Sequence, residues 1–187
     1  KWEELEVQTG RNGFNDLFGH IRMIYAREKA KRALLEEFKE HVLSVVATPE
    51  DLIEKVLKPY ADSYLIAKSQ QYVSTKNAED VNRLLKWLNR IDNSDWLPPA
   101  ILFLSQKKDH PEYVLWFFTK LERLAAYLHI CAKNVNQRIE RYAEVIASLQ
   151  APHSKDAPAV SVELTKAEID EMKEALTTLH DWYEKGL

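Results

Sequence analysis

The stretch PEYVLWFFTKLERLAAYLHICAK, residues 111–133, decides the fold of this chain. Its apolar side chains include the run Val114-Leu115-Trp116-Phe117-Phe118 and continue at Leu121, Leu124 and Leu128. A helix that is apolar nearly all round is buried inside a protein. It is not a membrane span, because Lys120, Glu122 and Arg123 interrupt it well before the ~20 apolar residues that a span requires. The segment therefore predicts a central, buried helix with other elements packed around it.

Helical periodicity dominates the chain on both sides of this segment. Apolar side chains recur at spacings of three and four in residues 14–46, 52–65, 81–91, 135–149 and 169–179. Val160-Ser161-Val162 is the one candidate for a strand. We expect an all-α fold, a bundle of about seven or eight helices with no significant sheet.

Glycine is scarce, with four residues of which none falls between His20 and Lys185. Phosphate-cradling loops and dinucleotide fingerprints need glycine where the backbone takes positive φ or approaches a ligand closely. Walker-type NTPases and Rossmann dehydrogenases are therefore excluded. No glycine or proline separates the apolar stripe that ends at Tyr25 from the stripe that begins at Leu34. One long helix over residues 15–46 and two shorter helices both fit this pattern.

Capping residues predict several helix boundaries. Thr48 precedes Pro49 and two acids, Asn134 precedes an apolar stripe, and Thr165 stands three residues before Glu168. Pro98-Pro99 can open a helix, whereas Pro59 should kink or end the one that contains it. Residues 151–160 have two prolines and no periodicity, which is typical of a linker. We therefore divide the chain into a helical domain (1–150), a linker (151–162) and an amphipathic C-terminal helix (163–187).

The residues with catalytic potential show no motif. A lone cysteine, Cys131, excludes an intrachain disulfide, and low cysteine usage fits a cytoplasmic location. The six histidines are scattered, without the Glu-x-x-His or His-Glu-x-x-His spacing of a helical metal site. We expect no catalytic, cofactor-binding or metal-ligating residue in this chain, and no membrane partner.

Two basic stripes stand out from a nearly balanced charge distribution. The first has five cations against one acid in residues 20–32: Arg22, Arg27, Lys29, Lys31 and Arg32. On a continuous helix this run is either a solvated face or a surface that contacts the phosphates of double-stranded DNA. The second stripe is Arg83, Lys86 and Arg90, which we expect Glu79, Asp80 and Asp92 to neutralise.

Two polar clusters at helix ends predict structural junctions. Tryptophan, arginine and acid residues crowded at such places often form ion pairs that fix the angle between helices. The first cluster contains Trp87, Arg90, Asp95, Trp96, Pro98 and Pro99, and the second contains Arg138, Glu140 and Arg141. We expect Trp96 to anchor two helices in the core.

These clusters lie in four blocks that resemble one known family. The blocks are LFGHIRMIYAREKAKRALLEEFKEHV (17–42), LKPYADSY (57–64), AEDVNRLLKWLNRIDNSDWLPPAILFL (78–104) and LERLAAYL with NQRIERYAEV (121–145). Their order and content resemble the large family of bacterial and archaeal proteins related to GmrSD-type modification-dependent restriction endonucleases. The resemblance covers residues 14–150, and WLNRIDNSDWLPPAILFL (87–104) is its most specific part. Relatives tend to have a glycine before LLEEF, where this chain has Arg32-Ala33, which favours the single long helix.

The resemblance implies a role as a connector. Family members join an N-terminal ParB/sulfiredoxin-like domain, with an Asp-Gly-Gln-Gln-Arg motif for nucleotide binding and hydrolysis, to a C-terminal HNH-like nuclease. An all-helical region links the two, and this chain resembles that region. Neither the Asp-Gly-Gln-Gln-Arg motif nor a His-x-x-Pro motif occurs here, so no family catalytic residue can be carried over.

The function expected from the resemblance is thus non-catalytic. The chain would link and position the two catalytic domains of a phage-defence DNA endonuclease, and its C-terminal helix would lead into the nuclease domain. The expected partners are these flanking domains, and the parent protein would use an NTP and a divalent metal. The alternative is a stand-alone helical module for protein–protein interaction or oligomerisation.

Overall fold

A computed structural model of the chain describes residues 2–151 and 161–184. These residues form eight helices and no strand, which confirms the predicted all-α bundle. The strand candidate is wrong in its described part, because Ser161 and Val162 lie in a turn.

Three of the helices contain irregular segments. Helix α1 spans Trp2–Ala26 and is broken at Gly10, whose φ of 70° and ψ of 167° are not helical. Helix α2 begins as Leu34–Phe38 and continues as a π-helical turn, Lys39–Leu43. Helix α3 begins as Pro49–Asp51, passes through the π-helical segment Leu52–Leu57 and continues as Lys58–Ser69. The remaining helices are α4 (Ala78–Leu88), α5 (Leu97–Lys107), α6 (Pro111–Ile130), α7 (Val135–Gln150) and α8 (Lys166–Glu184).

Two helices share the centre of the bundle. The sequence predicts that α6 is buried nearly all round, but the structure buries one broad face and leaves Leu115 and Trp116 partly exposed. The helix packs against α4, α5 and α8. Helix α5 is more deeply buried, since all eight residues from Leu97 to Leu104 are enclosed by α1, α3, α6 and α7. The two helices meet where the rings of Phe103 and Phe117 stack with centroids 3.8 Å apart.

The prediction of one long helix over residues 15–46 is wrong. Helix α1 ends at Ala26, Arg27 adopts a left-handed conformation with φ 55°, and α2 begins only at Leu34. We call the intervening residues 27–33 the strap. Its backbone N–H groups at Lys31 and Arg32 donate to the buried carboxylate of Glu37, at 2.5 and 2.8 Å. The turn therefore replaces helical hydrogen bonds with bonds to a side chain of the next helix.

The predicted caps are confirmed. The hydroxyl of Thr48 accepts the N–H of Asp51 at 3.1 Å. Asn134 and Gln137 form a reciprocal capping box at the start of α7, and Thr165 and Glu168 form another at the start of α8. Pro59 does not end α3, because the helix changes from π to α register immediately before it and places the proline in the first turn of the α segment.

Most of the predicted linker lies outside the described residues. At its two ends, Ala151 is exposed and Val162 is fully buried in the core. Helix α8 follows Val162 and packs on α6.

Candidate functional site

The five predicted DNA-contact residues do not share a helix face. Arg22 lies in α1 and is 3% exposed, whereas the other four lie in the strap and are exposed. The predicted arrangement on one helix is wrong, because α1 ends at Ala26 between Arg22 and Arg27. Arg22 is enclosed by protein and has no surface to offer to a phosphate.

Arg22 forms a buried ion pair with Glu37 of α2, where the two side chains are 4% and 2% exposed. The guanidinium also donates from Nη1 to the backbone carbonyl of Glu28 in the strap. Its Nε has no hydrogen-bond partner among the described residues. Burial alone would raise the pKa of Glu37, but the N–H donors of Lys31 and Arg32 and the charge of Arg22 outweigh burial and lower it. The pair fixes the angle between α1 and α2.

Three strap cations are engaged within the chain. Lys29 donates to the side-chain oxygen of Asn136 at 3.1 Å, and Lys31 pairs with Glu28 at 2.8 Å. Arg32 pairs with Glu40 of α2. Arg27 is the only cation of the run without an ion pair or hydrogen bond from its side chain within residues 2–151 and 161–184. The strap thus presents much less free positive charge than its sequence suggests.

The first polar cluster forms a junction around Trp96. The indole is 1% exposed, and Pro98 and Pro99 are buried beside it. Asp95 pairs with Arg138 of α7, 2.7 Å from carboxylate oxygen to Nε. Arg138 also donates to the carbonyl of Lys133 at 2.9 Å. The turn before α5 is therefore tied to the start of α7.

Arg141 holds the segment that leads into α8. Its Nε pairs with the carboxylate of Glu168 at 2.7 Å, and its terminal nitrogens donate to the backbone carbonyls of Ser161 and Glu163 at 2.6 and 3.0 Å. Burial would raise the pKa of Glu168, but the bonds from Arg141 and from the N–H of Thr165 lower it below its ordinary value. One guanidinium thus connects three points of the chain.

The structure does not bring the other predicted junction residues together. Trp87 is 53% exposed on α4, and Arg90 and Glu140 are also exposed. The expected neutralisation of the second basic stripe is wrong for two of its three cations. Arg83 pairs with Asp80 at 2.7 Å, whereas Lys86 and Arg90 have no ion pair to a described residue. Asp92 lies instead near His129, 3.7 Å from its Nδ1.

A cavity of about 300 Å³ lies beneath the strap. Arg22, Glu37 and His20 line it, together with Asp95 and Ile139 from the junction side. Burial, with a smaller contribution from Lys68, lowers the pKa of His20 to about 4, so the imidazole is neutral at pH 7. No motif in the sequence indicates this cavity, although Arg22 and Glu37 both stand next to apolar stripe residues, Ile21 and Phe38.

The described residues hold no group of three or more His, Cys, Asp and Glu side chains that could bind a metal ion. None of their helices has the length and apolar content for a membrane span. Comparison with known proteins finds no match to this chain among family models, curated sequences or solved structures.

Proposed function

We propose that this chain is a non-catalytic helical connector of a GmrSD-like restriction nuclease, which positions a nucleotide-binding domain relative to an HNH-like nuclease domain. The observation that carries the proposal is that three arginines in the resembling blocks link separate helices. Arg22, Arg138 and Arg141 each bond to residues of another helix or of its entry segment. Such bonds fix interhelical angles, and rigid angles are what a positioning element needs.

The three links join helices at both ends of the chain. Arg22 joins α1 to α2, Arg138 joins α7 to the start of α5, and Arg141 joins α7 to α8. The first and last helices are thereby connected through the core, because α1 and α7 both pack against α5. On this proposal, a movement of a domain attached at one end reaches the other end through α5 and α7.

The test uses the full-length gene product. We expect the full-length protein to contain an Asp-Gly-Gln-Gln-Arg motif and an HNH motif on the two sides of this chain. We also expect it to cleave DNA with an NTP and a divalent metal. Arg141→Gln should leave NTP hydrolysis intact and reduce cleavage, because α8 loses its attachment to α7. Arg123→Gln, an exposed arginine on α6, is the matched control and should leave both activities unchanged.

Two results would contradict the connector. Metal-dependent cleavage by purified residues 1–187 would place catalysis in this chain, and a gene that starts just before Lys1 would remove the N-terminal domain to be connected. An interaction module is the second candidate, because α8 exposes the apolar side chains of Ile169, Leu176 and Leu179. Self-association of the purified chain, measured by light scattering, would favour that candidate.

A further inference from the structure

Helix α4 carries a basic, aromatic surface that the connector proposal does not use. Its members are Arg83, Lys86, Trp87 and Arg90, which we call the α4 face. They occupy positions i, i+3, i+4 and i+7, opposite the buried residues Val81, Leu85 and Leu88. Arg90 continues the helical path in the following turn, where its N–H donates to the carbonyl of Trp87 at 3.0 Å. The four side chains therefore share one side of the helix.

The positive charge of this surface is largely open. Lys86 and Arg90 are exposed and have no ion pair to a described residue, and Arg83 is the one member that is paired. In the strap, Lys31 and Arg32 pair with neighbouring acids, Lys29 bonds to the neutral amide of Asn136, and Arg27 has no ion pair to a described residue. Each of the two basic stripes thus keeps two cations that no acid neutralises within the described residues, and the α4 face differs in having an exposed aromatic ring among its cations.

Trp87 adds a flat apolar surface among these cations. Its side chain is 53% exposed, whereas tryptophan is on average a highly buried residue. Lys86 precedes it, Arg83 stands one turn before it and Arg90 stands nearly one turn after it. Proteins that bind single-stranded nucleic acid combine these two elements, since bases stack on an aromatic ring while cations contact the phosphates.

We propose that the α4 face binds single-stranded nucleic acid, with one base stacked on Trp87 and the flanking phosphates on Lys86 and Arg90. The distance along the helix from Arg83 to Arg90 is about 10 Å at 1.5 Å per residue. One strand of stacked DNA carries about three phosphates over that length. This inference is independent of the connector proposal, because it requires no flanking domain.

The chemistry of the face distinguishes this ligand from two others. In a duplex the bases are stacked on one another, so Trp87 has no ring to contact. An acidic peptide would neutralise Lys86 and Arg90 but has no need of the indole. Of the three ligands, only single-stranded nucleic acid should therefore bind with an affinity that depends on Trp87.

The first experiment compares two charge reversals of equal size. A fluorescent oligothymidylate is titrated with residues 1–187 at low ionic strength, and binding is followed by anisotropy. Lys86→Glu with Arg90→Glu should weaken binding at least tenfold and lower the salt slope by about 0.7 for each lost phosphate contact. Arg27→Glu with Lys31→Glu, which changes the net charge equally on the strap, should bind like the wild type.

The second experiment tests the ring. Trp87→Ala should weaken binding about tenfold, because stacking of one base is lost. Trp87→Phe should retain most of the affinity. Unlabelled oligothymidylate should also quench the intrinsic tryptophan fluorescence of this variant less than that of the wild type. Thermal melts followed by circular dichroism show whether each variant is folded, which separates a loss of binding from a loss of structure.

Four outcomes would overturn the proposal. They are no oligothymidylate binding at low salt, equal loss in the two charge reversals, unchanged affinity in Trp87→Ala, and equal or tighter binding of duplex DNA or polyglutamate. Loss confined to the α4-face variants, with recovery in Trp87→Phe, supports it. None of these results depends on whether the full-length protein is a nuclease.

Discussion

Trp87 and Trp96 lie in the same sequence block (87–104) and have opposite environments. Trp96 is 1% exposed beneath the turn that Asp95 and Arg138 hold, whereas Trp87 is 53% exposed. Burial of an aromatic side chain of this size is among the larger single contributions to a core. The two residues therefore form a matched pair for separating a packing role from a surface role.

We expect Trp96→Ala to lower the free energy of unfolding by about 3–5 kcal/mol, as large-to-small changes in a close-packed core do. Trp87→Ala should change it by no more than about 0.5 kcal/mol, the usual range for an exposed position. Urea denaturation of both variants measures the difference. A loss below about 1 kcal/mol for Trp96→Ala would show that this residue does not anchor the junction.

The sequence predicted the burial of Trp96 correctly and placed Trp87 wrongly, for a physical reason. Trp96 precedes two prolines that open the buried helix α5. Trp87, in contrast, is off the apolar stripe of α4 formed by Val81, Leu85 and Leu88. The periodicity already pointed Trp87 outward, but its proximity to Arg90 and Asp95 in the sequence suggested a cluster that three-dimensional packing does not form.

At the scale of elements, the strap shows which helix boundaries a sequence can predict. The caps at Thr48, Asn134 and Thr165 are local, because each side chain bonds to an N–H within three residues. The end of α1 at Ala26 is set instead by a carboxylate in the next helix, Glu37, which binds the strap and Arg22. No residue near Arg22 or Glu37 in the sequence indicates that the two side chains meet. The sequence pattern therefore predicts a helix that continues through the strap.

Glu37→Ala should destabilise the protein by about 3–5 kcal/mol, because it leaves the buried charge of Arg22 unpaired. It should also speed hydrogen exchange at the amides of Lys31 and Arg32. The neighbouring Glu36→Ala is the control, since Glu36 is exposed. The double variant Arg22→Met with Glu37→Met should be more stable than Glu37→Ala, because it removes both charges. Equal stability of Glu36→Ala and Glu37→Ala would show that the ion pair of Glu37 does not stabilise the fold.

For the whole molecule, the free energy of unfolding depends on pH, because some groups have different pKa values in the folded and unfolded chain. Burial lowers the pKa of His20 to about 4, against about 6.5 in an unfolded chain. Between these values the unfolded chain binds a proton that the folded chain does not, so stability falls as the pH falls. The pKa of Glu37 is lowered as well, and its contribution to stability is lost at lower pH, below the ordinary carboxyl range.

We expect the free energy of unfolding to fall by roughly 2–3 kcal/mol between pH 7 and pH 4 on account of His20, at about 1.4 kcal/mol per pKa unit. Denaturation curves at a series of pH values measure this slope. His20→Gln should flatten it above pH 4.5, while His129→Gln, at an exposed site on α6, should not. A wild-type profile that is flat from pH 7 to 4.5 would contradict the assignment.

The overall architecture was predictable because its signals are repeated along the chain. Apolar stripes recur in most of the helices, and the lack of glycine between residues 20 and 185 agrees with a mainly helical chain. The sites were less predictable, because they depend on which charges meet. Arg22 pairs with Glu37 and is buried, whereas Lys86 and Arg90 are exposed and have no ion pair to a described residue.

The bonds of Arg141 have a consequence for the continuity of the chain. Because this arginine binds Ser161, Glu163 and Glu168 from α7, and Val162 is enclosed in the core, the start of the C-terminal piece is held by more than its peptide linkage. A cut within residues 152–160 would therefore leave two fragments that stay associated. We expect such a cut protein to assemble as two complementary fragments, without a covalent connection at this point.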